Sequence, residues 1–238
     1  MGMTFPFLNV RSLWVLLSFV AVCGAGADSP KAGGLVAGKV LFLGNSITLH
    51  GPKPDIGWTG NWGMAASVEE KDFVHLLTAD IGKAAGVVPK TMVRNIAGFE
   101  RGFESFDAAK SLKEELEFDA DIVVLAIGEN VAALETDDAR AGFAKAFAGL
   151  LSALNPKSHA AIIVRSSFWP DAVKDGIMRK ASADAGVVFV DISALGADAS
   201  NAASAERKIE HPGVAGHPGD KGMRAIADAI FAEMKKRF

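Results

Sequence analysis

Residues 122–127 read Ile-Val-Val-Leu-Ala-Ile, an unbroken apolar run between Asp121 and Gly128. A strand with one face in water would alternate apolar and polar side chains. This run does not, so it reads as a strand covered on both faces, as in a parallel sheet. The same pattern recurs on either side of it. Upstream, residues 39–43 (KVLFL) end at Gly44, and 91–96 form a second, more polar strand. Downstream, 160–164 and 187–190 supply a fourth and a fifth.

Helical patterns lie between these runs. Ser67 and Glu70 match a capping box that opens a helix with Phe73, Leu77 and Ile81 on its apolar face. Residues 104–118 read as a helix. Thr136 caps the next, with Asp137 and Asp138 in its first turn and Phe143, Phe147, Leu150 and Leu154 along one face. Another starts at Pro170 and ends near Gly186. The last runs from Pro218 to the C-terminus, with Met223, Ile226, Ile230 and Met234 inward and Lys235, Lys236 and Arg237 at its negative dipole end. Residues 195–216 show no clear period. Alternating strands and helices with right-handed crossovers predict an α/β fold: a doubly wound, three-layer α/β/α sandwich on a five-stranded parallel sheet.

Composition narrows the function. The 238 residues are 50% hydrophobic and 22% charged, with a net charge of −3, which suits a globular domain and lacks the basic surplus of a nucleic-acid binder. The single cysteine, Cys23, excludes a disulfide framework and a cysteine zinc site. The absence of tyrosine excludes phenol chemistry.

The N-terminus reads as an export signal over residues 1–27. Arg11 precedes a short apolar stretch at 13–22, too short for an ordinary membrane span, and Ala25-Gly26-Ala27 fits a cleavage site before Asp28. An uncleaved anchor and a lipid on Cys23 are the alternatives; Val22 is bulky for the latter. A loose leader at 28–38 and one domain at 39–238 complete the expected organisation, for a secreted or periplasmic protein without stable membrane insertion.

In a doubly wound sheet ligands bind at the carboxyl ends of the strands. Those ends carry Gly44-Asn45-Ser46-Ile47-Thr48, Asn95-Ile96-Ala97-Gly98, Gly128-Glu129-Asn130 and Ser166-Ser167-Phe168-Trp169, with Gly216-His217-Pro218 ahead of the last helix. A hydroxyl, an imidazole and several amide donors converging there are the parts that acyl transfer requires.

With these residues in place, the sequence resembles the SGNH (GDSL-type) hydrolase superfamily over most of residues 39–238. Residues 43–48 resemble its first block, with Asn45 where aspartate is commoner. The resemblance implies a flavodoxin-like sandwich with Ser46 as nucleophile and His217 as base. It also implies an oxyanion hole formed by the amides of Ser46 and Gly98 and the side chain of Asn130. No G-x-S-x-G elbow is present, which speaks against the other large serine-hydrolase class. One departure stands out: the family carries an aspartate three residues before its histidine, and that position is Val214 here. Glu210 and a backbone carbonyl are the candidate replacements; Asp220 is assigned instead to the dipole of the last helix.

The expected function is therefore an exported serine esterase acting on small acyl esters, acetyl above all, of a carbohydrate or other small molecule, with no metal or organic cofactor. A His211/His217/Asp220 metal site matches no known spacing. Asn45, Trp58, Trp62 and Trp169 are candidate substrate contacts; the tryptophans read equally as a platform for a sugar ring or as pins for their loop. Glu129 and Arg165 read as structural charges, and His50, His75 and His159 as surface or helix residues. The alternatives are acyl transfer to a sugar hydroxyl, or a non-catalytic carbohydrate-binding protein on the same fold.

Overall fold

The structure is a computed structural model that describes residues 1–3, 31–32, 34–155, 157 and 159–237. The export signal, its cleavage site and Cys23 lie outside the described residues. Among the described residues no helix is long and apolar enough to cross a membrane.

Two short strands, β1 (Lys31–Ala32) and β2 (Leu35–Val36), pair antiparallel within the leader that the sequence reading left loose. The main sheet is wholly parallel. It comprises β3 (Lys39–Gly44), β4 (Lys90–Asn95), β5 (Ile122–Ala126), β6 (Ala161–Arg165) and β7 (Val188–Val190), in the order β4-β3-β5-β6-β7. The chain adds β4 on one side of β3 and β5 on the other. Between β3 and β5 the winding therefore reverses, and such a switch point opens a crevice at the strand ends.

The apolar runs supply both faces. Val40, Phe42, Val124 and Ile163 pack on one side against Phe73, Leu77 and Ile81 of α1 (Phe73–Ala85) and Met223, Ile226, Ile230 and Met234 of the last helix. Leu41, Leu43, Val123, Leu125 and Val164, one residue out of phase, face the other way onto Phe143, Phe147 and Leu150. Burying each such side chain contributes roughly 1.5–3 kcal/mol.

Local chemistry moves several element ends away from the sequence expectation. The capping box at Ser67 does not form. Asp72 caps α1 instead, its side chain accepting the His75 N–H, while residues 69–71 make a single tight turn and Ser67 bonds to Asp220. The helix expected over 104–118 is broken. After α2 (Ala97–Arg101) come a tight turn at Phe103–Ser105, then α3 (Ala108–Ser111) and α4 (Lys113–Glu117), because Asp107 caps a fresh start and Phe103, Leu112 and Phe118 must all reach the core. Thr136 does cap α5 (Asp137–Leu154). The following helix, α6 (Ala172–Asp184), starts at the Asp171 cap, not at Pro170. The unassigned stretch holds α7 (Ser193–Ala197), two tight turns and α8 (Pro212–Ala215), before α9 (Asp220–Arg237) closes the chain.

Candidate active site

The site begins where β3 stops. At Gly44 a Cβ would lie 1.9 Å from Thr48 Oγ1 and 2.7 Å from the Ala126 carbonyl, so only glycine lets the chain turn this tightly beside β5. The Asn45 carbonyl then accepts the N–H groups of Thr48 and Leu49, and its side-chain oxygen accepts that of Ile47. This turn presents Ser46 at the edge of the sheet.

His217 meets it from the far end of the chain. Its Nε2 lies 2.8 Å from Ser46 Oγ, and its Nδ1 lies 2.6 Å from the carbonyl oxygen of Gly213. A carbonyl can only accept, so Nδ1 carries the proton and Nε2 is left as the acceptor of the serine O–H. His217 is 8% exposed. Burial pushes the imidazole below its ordinary range; the Gly213 bond and the charge of Glu129 offset part of that shift, and His50 adds to it. A neutral, correctly oriented imidazole beside a hydroxyl is the geometry of a general base.

What orients the ring is the second of the two replacements the sequence offered, a backbone carbonyl. Glu210 is not the partner: its carboxylate is solvent-exposed and paired with Lys208. The partner is the Gly213 carbonyl within α8, a helix of one turn whose carbonyls mostly lack intrahelical donors. Val214, where the resemblance led one to look for aspartate, is buried with Trp58, Met64, Ala65 and Ala203. It packs the loops together. His211, the other histidine of this segment, accepts the Val214 N–H and caps α8. Among the described residues no three His, Cys, Asp or Glu side chains cluster as a metal site would require.

Beneath the pair lies a buried charge network. The Asn45 side-chain amide donates to Glu100 Oε1 at 3.1 Å and to Glu129 Oε2 at 2.6 Å. Glu129 also accepts Arg165 Nη1 at 2.6 Å and the Phe168 N–H at 2.7 Å. Arg165 is wholly buried, so its pairing with Glu129 is the structural one expected. Despite burial, Arg165 and these hydrogen bonds hold the Glu129 carboxyl below its usual range. Glu100 is pushed up, by burial first and then by the charge of Glu129. The network explains Asn45. An aspartate there would face two buried carboxylates, whereas the amide donates to both.

Glu100 is the residue that the sequence reading missed. It is 1% exposed and accepts four N–H groups: Gly128 N, Asn130 N, Asn45 Nδ2 and Asn130 Nδ2. Its signal was faint, one acid between Phe99 and Phe103, both of which are buried.

The remaining candidates fall into two groups. Gly98 lies in the first turn of α2, where N–H groups lack intrahelical acceptors, and a Cβ there would meet nothing within 4 Å. Asn130 follows β5 beside Glu100. Trp169 is 39% exposed and sets its ring edge-on to His217, with centroids 5.1 Å apart. Trp58 and Trp62, by contrast, pin their loop. Trp58 is buried, its indole donates to the His50 carbonyl, and that of Trp62 donates to the Ala66 carbonyl. The two rings stack edge-on at 5.4 Å, and Trp58 offers no free face as a platform.

Solved structures of lipases and of an acetyl xylan esterase share this fold. The chain is similar to a lipase/acylhydrolase from Enterococcus faecalis at 18% identity and TM-score 0.53, over 84% of this chain and 96% of that one. It is similar to a GDSL-like lipase from Bacteroides uniformis at 15% identity and TM-score 0.56, over 84% and 96%. It is also similar to the acetyl xylan esterase AlAXEase at 20% identity and TM-score 0.53, over 82% and 98%. No protein-family model matches the chain, and no curated protein matches its sequence.

Proposed function

We propose that the protein is a serine esterase. The observation that carries this reading is the 2.8 Å contact between Ser46 Oγ and a His217 whose other nitrogen is held by the Gly213 carbonyl. Ser46 Oγ attacks the ester carbonyl as His217 Nε2 takes its proton. The oxyanion forms against the amides of Ser46 and Gly98 and the Asn130 side chain. The imidazolium then protonates the leaving alcohol, and an acyl-serine remains. Water, deprotonated by the same Nε2, releases the acid and restores Ser46. A carbonyl partner stabilises the imidazolium less than a carboxylate would, so the pair works without the full electrostatic support of an acid.

The substrate class we infer is a small acyl ester, acetyl first, on a carbohydrate. The likeness to an acetyl xylan esterase supports it, as does the exposed Trp169 face beside the imidazole, a surface on which a sugar ring can lie. Export follows from the signal over residues 1–27: Arg11, its apolar run and Ala25-Gly26-Ala27.

The test is turnover of p-nitrophenyl acetate and of acetylated xylo-oligosaccharide by the wild type and by Ser46→Ala. Hydrolysis of both by the wild type and its loss in the variant are expected. Equal rates in the two proteins would remove Ser46 from the mechanism. Sugar binding with no turnover by the wild type would make the fold a binding module.

A further inference from the structure

Asn130 is the one proposed oxyanion donor that belongs to a side chain, and a side-chain amide can be used either way round. Its oxygen and nitrogen are almost the same size. Turned one way it offers N–H to a developing oxyanion; turned the other way it offers a lone pair, which repels it. Something must decide between the two.

The structure supplies a decision on both sides of the amide. Asn130 Nδ2 donates to Glu100 Oε2 at 2.8 Å, and a carboxylate can only accept. Asn130 Oδ1 accepts from Arg101 Nη2 at 2.8 Å, and a guanidinium can only donate. A flip would set oxygen against oxygen on one side and N–H against N–H on the other. Both partners are consecutive residues of α2, the helix that also carries Gly98. Among the described residues Arg101 forms no ion pair, and its hydrogen bond to Asn130 accounts for its placement. Glu100 fixes the Asn130 backbone N–H as well, at 3.1 Å.

We propose that Glu100 and Arg101 are positioning residues that clamp the Asn130 amide in one orientation, leaving its second Nδ2 hydrogen as the donor to the oxyanion. The inference rests on the esterase reading above and adds to it. It assigns α2 two tasks: presenting the Gly98 amide and setting the polarity of Asn130.

The experiment is a double-mutant cycle on p-nitrophenyl acetate, measuring kcat and KM separately. Asn130→Ala should lower kcat about 100-fold with KM within about twofold, the signature of a lost oxyanion donor. Arg101→Ala should lower kcat about tenfold at unchanged KM, and Arg101→Lys, which keeps a donor, should recover most of it. In the Asn130→Ala background, Arg101→Ala should cost nothing further, because a clamp has no effect once the clamped group is gone. A merely structural arginine would cost the same in both backgrounds. Glu100→Gln should lower kcat more than Arg101→Ala, since Glu100 also holds Gly128 and Asn45. Should that variant fail to fold, the exposed Arg101 series decides alone. Wild-type kcat in Arg101→Ala, or equal losses with and without Asn130, would overturn the clamp. Ser46→Ala serves as the control. If it abolishes turnover while the Arg101 series is flat, only the clamp fails; if it leaves turnover intact, the esterase reading fails.

Discussion

A buried imidazole held by a carbonyl is a different device from one held by a carboxylate, and the difference is measurable. Burial lowers the His217 pKa, and the neutral form is the one that can take the serine proton. The acid limb of kcat/KM should therefore fall with an apparent pKa below the ordinary histidine value near 6.5. A limb at or above 7, read from the pH profile of ester hydrolysis, would mean that an acid faces the ring after all. Restoring the usual aspartate should not help. Val214→Asp would place a carboxylate among Trp58, Met64, Ala65 and Ala203, while Nδ1 is already taken at 2.6 Å. We expect urea unfolding to show a loss of about 2 kcal/mol or more, with kcat no higher than in the wild type. A gain in kcat at unchanged stability would contradict that placement. The histidine itself was legible from Gly216-His217-Pro218 ahead of a helix. Which carbonyl holds it was not, since a backbone oxygen has no letter in the sequence.

At the scale of elements, loop residues that hold two pieces together matter more than the capping pattern suggests. Asp72 accepts the His75 N–H as the cap of α1 and, with its other oxygen, the Gly63 N–H at 2.9 Å. It thus ties the tryptophan loop that follows Ser46 to the helix beneath the sheet. Asp72→Ala should lose the cap, about 1 kcal/mol, and strand the Gly63 N–H, about 1–3 kcal/mol more. Chemical denaturation should show a total near 2–4 kcal/mol. A loss under 0.5 kcal/mol would mean that water replaces both bonds without cost. The strands other than the edge strand β4 were readable because two-sided burial leaves continuous apolar runs, and α5 because Thr136 and four aromatic or leucine positions agree on one helical face. The broken region between Gly102 and Phe118 was not readable, because local helix signals there compete with three side chains that must all reach the core. Ser67 and Glu70 fit the box pattern, yet the Ser67 hydroxyl is drawn off by Asp220, more than a hundred residues away in the sequence.

For the whole molecule, the ionisable groups whose pKa values are displaced on folding set how stability follows pH. Glu129, Asp171, Asp191 and Asp220 all hold pKa values below their ordinary ones, Asp191 at about 2. Depressed carboxylates contribute stability that is present above their unfolded values near 4 and is lost as pH falls through the folded ones. His217, also depressed, contributes above about 6.5 and loses it as pH falls. Glu100 is raised and works the other way, adding stability as pH falls through its folded value. His75 is also raised, chiefly by its hydrogen bond to Asp72, and adds stability as pH falls, which offsets His217. Unfolding free energy should therefore change little between about pH 7 and pH 5 and drop steeply below about pH 4 as the depressed carboxylates take up protons. A steady rise from pH 7 to pH 3 in urea titrations would contradict this assignment of charges. The carboxyl ends of the parallel strands bring Ser46, Asn45 and Glu129 to one edge with His217, and the alternation of strands and helices in the sequence was enough to locate that edge. The Glu100–Asn45–Glu129–Arg165 network within it appears only once four distant segments are folded together. The central claim, that Ser46 is the nucleophile, is tested most directly by reacting the protein with a fluorophosphonate and mapping the adduct by mass spectrometry. One equivalent on the peptide bearing Ser46, abolished in His217→Ala, is the predicted result; an adduct on another residue, or none while ester hydrolysis proceeds, would contradict it.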